Sequence, residues 1–127
     1  MMRSLILGLA MALAFASAAA AAAAKPLVVI LADARGTVAT DLLAPYAILA
    51  ESGAVEVKVV SVMAAPVRLT PGVAWAAPQM TLLQLARERP EGPDVVIVPA
   101  LKIVEDPERS AWLRAQVGRG ARVMSIC

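Results

Sequence analysis

The chain has 127 residues, 60% of them hydrophobic, with 12 basic and 10 acidic side chains, one cysteine and no histidine. A net charge of +2 and an aromatic content of 3% exclude the basic, ring-bearing surface of a nucleic-acid binder. One cysteine excludes an intramolecular disulfide, and no metal site or cofactor is expected from this composition.

Residues 1–24 read as a targeting segment: one cation at Arg3, an apolar stretch from Leu5 to Phe15, then small residues ending in a run of alanine. Cleavage fits after Ala18 or as late as Ala24. The alternative is an uncleaved N-terminal anchor, since about 20 uncharged residues can span a bilayer. Cleavage is favoured because alanine is weakly apolar and the strongly apolar part is short. The expected location is therefore outside the cytoplasm, in a periplasm, with no membrane contact after cleavage and an anchored protein without it. The remaining 103 residues carry a net charge of +1 and suffice for one core but not two domains.

The run Leu27-Val28-Val29-Ile30-Leu31-Ala32 has no polar face and predicts a strand buried on both sides. Residues 33–37 form a polar connection. Leu42, Leu43, Tyr46, Ala47 and Leu49 fall at helical spacing, with Gly53 as a natural stop. Pro45 is tolerated near a helix start, so this helix is expected to begin around Asp41, with Asp41 in or before its first turn. Residues 55–62 make a second strand, and the strand–helix–strand order predicts a right-handed parallel unit.

Residues 64–77 carry two prolines and a glycine and read as two extended pieces joined at Pro71-Gly72, an antiparallel excursion beside the main sheet. Residues 81–89 are helical in pattern and end at Pro90. Asp94-Val95-Val96-Ile97-Val98-Pro99 is a third buried strand. Asp106-Pro107-Glu108 marks a helix start, with an aspartate cap, proline at the first helical position and a carboxylate in the first turn. That helix is expected to reach Gly118 or Gly120, and residues 121–126 to form a fourth central strand. The pattern is that of an α/β fold.

In such folds ligands bind beyond the carboxyl ends of the strands, and Cys127 stands at one of these ends. A lone cysteine is most often a small buried hydrophobe. Here its position, just past a buried strand where the chain should bend into a helix, argues for a reactive thiol. Asp41 is an ordinary helix cap on spacing alone, or an acid near Cys127 able to donate or accept a proton. Asp33, right at the first strand's exit, is a rival for that role. The amides of 99–101 could form an oxyanion hole, although a plain strand-ending turn fits the residues equally simply. Arg35, Arg68 and Lys102 read as solvated loop charges, and Trp75, Trp112 and the methionines as core or edge packing.

Three segments together resemble the ThiJ/PfpI family of the class I glutamine amidotransferase-like superfamily. They are Asp41-Leu42-Leu43-Ala44-Pro45, Asp94 to Pro99, and Gly120-Ala121-Arg122-Val123-Met124-Ser125-Ile126-Cys127. The likeness covers residues 26–127, and the stretch from Asp106 to Leu113 is most similar to isocyanide hydratases and to the sensor-like domains fused to AraC-type regulators. It implies a flavodoxin-like three-layer sandwich with a mostly parallel sheet, Cys127 as the nucleophile at a strand-to-helix elbow, and Asp41 as its acid partner. The Ala100 amide and that of the residue after Cys127 would be oxyanion donors, acting on a small molecule such as a carbonyl, amide or nitrile-like compound. A homodimer is compatible with this reading.

The family usually has two glycines after the strand-ending proline, where this chain has Ala100 and Leu101. The chain also stops at the elbow, so residues 25–127 are expected to be the N-terminal part of such a domain, inactive alone and with an unfinished sheet flank. The alternative to a cysteine-dependent hydrolase, hydratase or lyase is a noncatalytic ligand-sensing, redox-responsive or chaperone-like domain. Fold alone does not choose between them.

Overall fold

The computed structural model describes residues 24–127, so the targeting pattern of residues 1–24 lies almost wholly outside the described residues. The elements follow in the order β1 (Leu27–Ala32), β2 (Thr37–Val38), α1 (Ala39–Ser52), β3 (Glu56–Ser61), β4 (Val67–Thr70), β5 (Ala74–Ala76), β6 (Met80–Thr81), α2 (Leu82–Glu88), β7 (Val95–Val98), α3 (Pro107–Gly118) and β8 (Arg122–Ser125).

All six residues of β1 are buried, as an unbroken apolar run requires. The strand is central in a five-stranded sheet of order β6-β3-β1-β7-β8, with every neighbouring pair parallel. Val28 faces Val57 on one side and Val95 on the other. Since side chains alternate along a strand, β1 feeds two cores. Val28, Ile30 and Ala32 pack with Leu42 of α1 and with Val67 and Leu69 of β4. Leu27, Val29 and Leu31 pack with Leu82 and Leu85 of α2, and Trp112 and Leu113 of α3 lie against them. The result is the three-layer α/β sandwich expected from the sequence. Burying each large aliphatic side chain here contributes about 1.5–3 kcal/mol.

The antiparallel excursion exists as β4 and β5, joined through Pro71-Gly72. It belongs to a small separate sheet, because β2 adds to β4 in parallel. This use of Thr37 and Val38 corrects the reading of residues 33–37 as simple connection. The Thr37 side chain is buried; its hydroxyl donates to the Asp33 carbonyl and accepts the Asp33 N–H, closing a tight bend after β1.

The first helix begins at Ala39, two residues before the expected start. Asp41 lies in its first turn, and Pro45 sits inside the helix, deeper than its residue type alone suggests. Gly53 stops the helix in the left-handed conformation with φ 62°. The other two helices start as their residues dictate. Thr81 and Gln84 form a reciprocal capping box, and the Asp106 carboxylate accepts the Arg109 N–H ahead of Pro107. Among the described residues β8 pairs with β7 at the edge of the sheet, and its four side chains are exposed. Trp75 lies on β5, at the edge of the small sheet, and is exposed.

Candidate functional site

The chain passes from β1 to β3 on one side of the sheet and later returns to β7 on the other. The change of direction falls between β1 and β7, and the crevice beyond their carboxyl ends is where such sheets accept ligands. A cavity of about 360 Å³ lies there. Leu31 near the end of β1, Val98 at the end of β7 with Pro99 to Leu101 after it, and Ser125 at the end of β8 with Cys127 beyond contribute to its wall, and α3 adds Arg109, Ser110 and Leu113. A mainly apolar hollow of this size with a few polar groups is typical of a small-molecule site.

Cys127 is exposed and has φ 77°, alone among the described non-glycine residues in the left-handed region. Side-chain-bearing residues seldom adopt that conformation, because the Cβ crowds the backbone.

Asp41 and Ala100 meet. The Ala100 N–H donates to Asp41 Oδ2 at 3.0 Å, and the Ala100 carbonyl accepts the Val38 N–H at 2.9 Å. The Lys102 N–H donates to the Gly36 carbonyl at 2.9 Å, so the segment after β7 is laced to the approach of α1. Ala100 thereby links the two candidate groups, being bonded to Asp41 and lining the same cavity as Cys127. Asp41 is not among the residues lining that cavity. The Ala100 amide, expected as an oxyanion donor, is instead occupied by the carboxylate. Leu101 faces Thr37 in an antiparallel bridge and lines the cavity, and its N–H is used by no described residue. Residue type could not have shown this, because the Ala100 amide is spent on a carboxylate 59 residues away in the chain.

Asp33 proves to be part of an ion-pair network that sequence reasoning missed. Its side chain is 2% exposed, and Oδ2 accepts from Arg109 Nη1 at 2.8 Å while both carboxylate oxygens accept from the Arg35 guanidinium. Arg35 also bridges to Asp106, which corrects its reading as a solvated loop charge. Arg109 is buried and its Nη2 donates to the Ile103 and Val104 carbonyls, both at 2.7 Å. Burial pushes the Asp33 carboxyl upward, but the hydrogen bonds from Arg35 and the charges of Arg35 and Arg109 outweigh it and hold it below its ordinary value. Asp106 is lowered by the Arg109 amide and by Arg35. A buried charge of this kind needs a partner, so Asp33 is committed to the framework and does not compete with Asp41. The available signal was the pair of residues after β1, an aspartate and an arginine two apart.

Comparison of the sequence with protein-family models and with curated proteins finds no match. The fold, however, is similar to solved structures. A DJ-1 protein of Toxoplasma gondii, in its oxidized form, superposes with a TM-score of 0.68 at 17% identity over 81% of this chain and 56% of that one. A DJ-1 superfamily protein of Salmonella typhimurium gives 0.70 at 15% identity over 81% and 56%. A ThiJ/PfpI family protein of Pseudomonas syringae gives 0.67 at 18% identity over 81% and 42%. The chain has the DJ-1/ThiJ/PfpI fold. It spans about half the length of the solved DJ-1/ThiJ/PfpI structures it matches. Among the described residues no helix is long and apolar enough to cross a membrane, and no group of three or more acidic or cysteine side chains is placed to hold a metal.

Proposed function

We propose that this chain carries the nucleophile half of a thiol-dependent site acting on a small uncharged molecule with an electrophilic carbon, in a protein exported by its first 24 residues. The observation that carries this reading is that the exposed Cys127 lines the strand-end cavity together with the segment after β7. In the proposed step the Cys127 sulfur bonds to the electrophilic carbon, and the S–H proton is relayed through solvent to the Asp41 carboxylate, which is bonded to Ala100 of the cavity wall and does not itself line the cavity. The π pair of the broken double bond moves onto the substrate oxygen or nitrogen. The Leu101 N–H is the donor suited to that developing charge, and the Ala100 N–H orients Asp41. Hydrolysis, hydration or lyase chemistry would follow according to the substrate.

The experiment is iodoacetamide alkylation of Cys127 in the full chain at pH 7, compared with free cysteine, with Asp41→Asn alongside. The reading expects faster modification than free cysteine and a loss of roughly a hundredfold in the variant, the low end for a positioned proton acceptor. Equal rates in all three would remove the catalytic reading.

A second reading, a ligand-sensing domain without turnover, is favoured by one observation: Ala100 and Leu101 replace glycines expected on resemblance, and the Ala100 amide is taken by Asp41. Ligand-dependent melting without product would support it. Export is tested separately by fractionation of cells expressing the full chain, with the mass of the mature protein reporting cleavage between residues 18 and 25.

A further inference from the structure

We propose that Asp33 and Arg109 act together as a selectivity pair for the Cys127 cavity: the carboxylate cancels the one cation that lines that cavity among the described residues, and so tunes it to uncharged ligands. The proposal rests on the preceding reading of this cavity as the site of a reactive thiol. It concerns which molecules are admitted.

An arginine in the wall of an apolar hollow would ordinarily signal recognition of a carboxylate or phosphate through its fork of N–H groups. Arg109 is not available in that way. Its Nη1 is spent on Asp33 Oδ2, and its Nη2 bonds two backbone carbonyls, those of Ile103 and Val104. Asp33 is answered in turn by Arg35, and Arg35 by Asp106, so two cations and two anions form a closed set of zero net charge. Asp33, Arg35 and Asp106 line a separate, smaller hollow, so only the cationic member of the set reaches the Cys127 cavity. An entering anion would lose its water and find no open fork and no net positive field. An uncharged molecule would meet Leu31, Val98, Leu101, Val104 and Leu113 at little desolvation cost.

The same bonds give Arg109 a positioning role. By gripping the Ile103 and Val104 carbonyls it holds the segment that carries two wall residues, Leu101 and Val104. Asp33 fixes the guanidinium that does the gripping.

The test is the ratio of Cys127 alkylation rates by iodoacetate and by iodoacetamide in the full chain, each normalised to free cysteine, with circular dichroism confirming the fold. Asp33→Asn leaves Arg109 uncancelled, and the ratio is expected to rise roughly 3- to 10-fold, the influence of one unbalanced charge on the order of 10 Å away. Arg35→Gln lies at a partly exposed side chain and keeps the test alive if Asp33→Asn does not fold. It leaves the set net negative, and the ratio is expected to fall. A purely structural role would change both rates by one factor and leave the ratio still, which overturns the proposal, as does movement opposite in sign. If the ratio shifts as expected in the variants while the parent's iodoacetamide rate only matches free cysteine, the charge pair stands and the reactive-thiol reading fails. If alkylation is fast and the ratio does not move, the reactive thiol stands and the charge pair fails.

Discussion

The carboxylate of Asp41 and the backbone amide of Ala100, 59 residues apart in the chain, are joined by a hydrogen bond of 3.0 Å. It ties the first turn of α1 to the exit of β7, so Asp41 is both an anchor and a candidate proton acceptor. The two roles separate by substitution. Asp41→Ala leaves a part-buried N–H without an acceptor and is expected to cost about 1–3 kcal/mol in urea unfolding. Asp41→Asn keeps an acceptor oxygen and should cost clearly less. If Asp41 also takes the thiol proton, both variants slow Cys127 alkylation equally despite their different stabilities. Rates that track stability would leave only the anchor.

The Asp33 network predicts a pH profile. Asp33 and Asp106 have pKa values lowered from 3.8, and Glu56, beside Arg89, is lowered from 4.5. A carboxylate that binds its proton more weakly when folded adds stability above its unfolded value and loses it as pH falls through the folded one. Arg35 and Arg89 are raised, and so contribute no slope at neutral or acid pH. The urea midpoint is therefore expected to be flat near neutrality and to decline below about pH 4. Asp33→Asn strands the buried Arg109 and should cost about 3–5 kcal/mol at pH 7, with a shallower acid slope. An acid slope as steep in the variant as in the parent would show that Asp33 titrates no differently on folding.

The strand and helix order was legible because local and global signals agree. The run from Leu27 to Ala32 has no polar face, and Asp106-Pro107 can hardly be anything but a helix start. What escaped was set by long-range pairing. Thr37 and Val38 become a strand only because β4 lies beside them, and Thr81 caps α2 while Met80 pairs with β3. In the site, Cys127 was legible from its place after a strand. The identity of the spent amide was not, because the Ala100 N–H is taken by the Asp41 side chain, which only the packing of α1 against the exit of β7 brings to it. Arg109 was hidden for a related reason: on a helix with weak apolar patterning, only the fold reveals that it reaches Asp33, 76 residues away.

Gly92 and Gln116 meet on the far side of the sheet from Asp41. Gly92 has φ 81°, and a Cβ built on it would lie 2.4 Å from Gln116 Oε1, closer than real contacts allow. Gln116 is buried, and its Oε1 has no hydrogen-bond partner among the described residues. Gly92→Ala therefore carries two penalties, a left-handed backbone that alanine disfavours and a displacement of the Gln116 side-chain tip. Together these are expected to cost about 1–3 kcal/mol, within the range for overpacking. Gln116→Met removes the orphaned acceptor while keeping the chain length, and should be neutral or stabilising by about 1 kcal/mol. Because both act at one contact, the double variant should recover part of the Gly92→Ala loss, leaving a coupling of at least about 0.5 kcal/mol. Thermal melts of the four chains measure it; strictly additive shifts would mean that the backbone penalty alone accounts for the glycine and that α3 does not press on it.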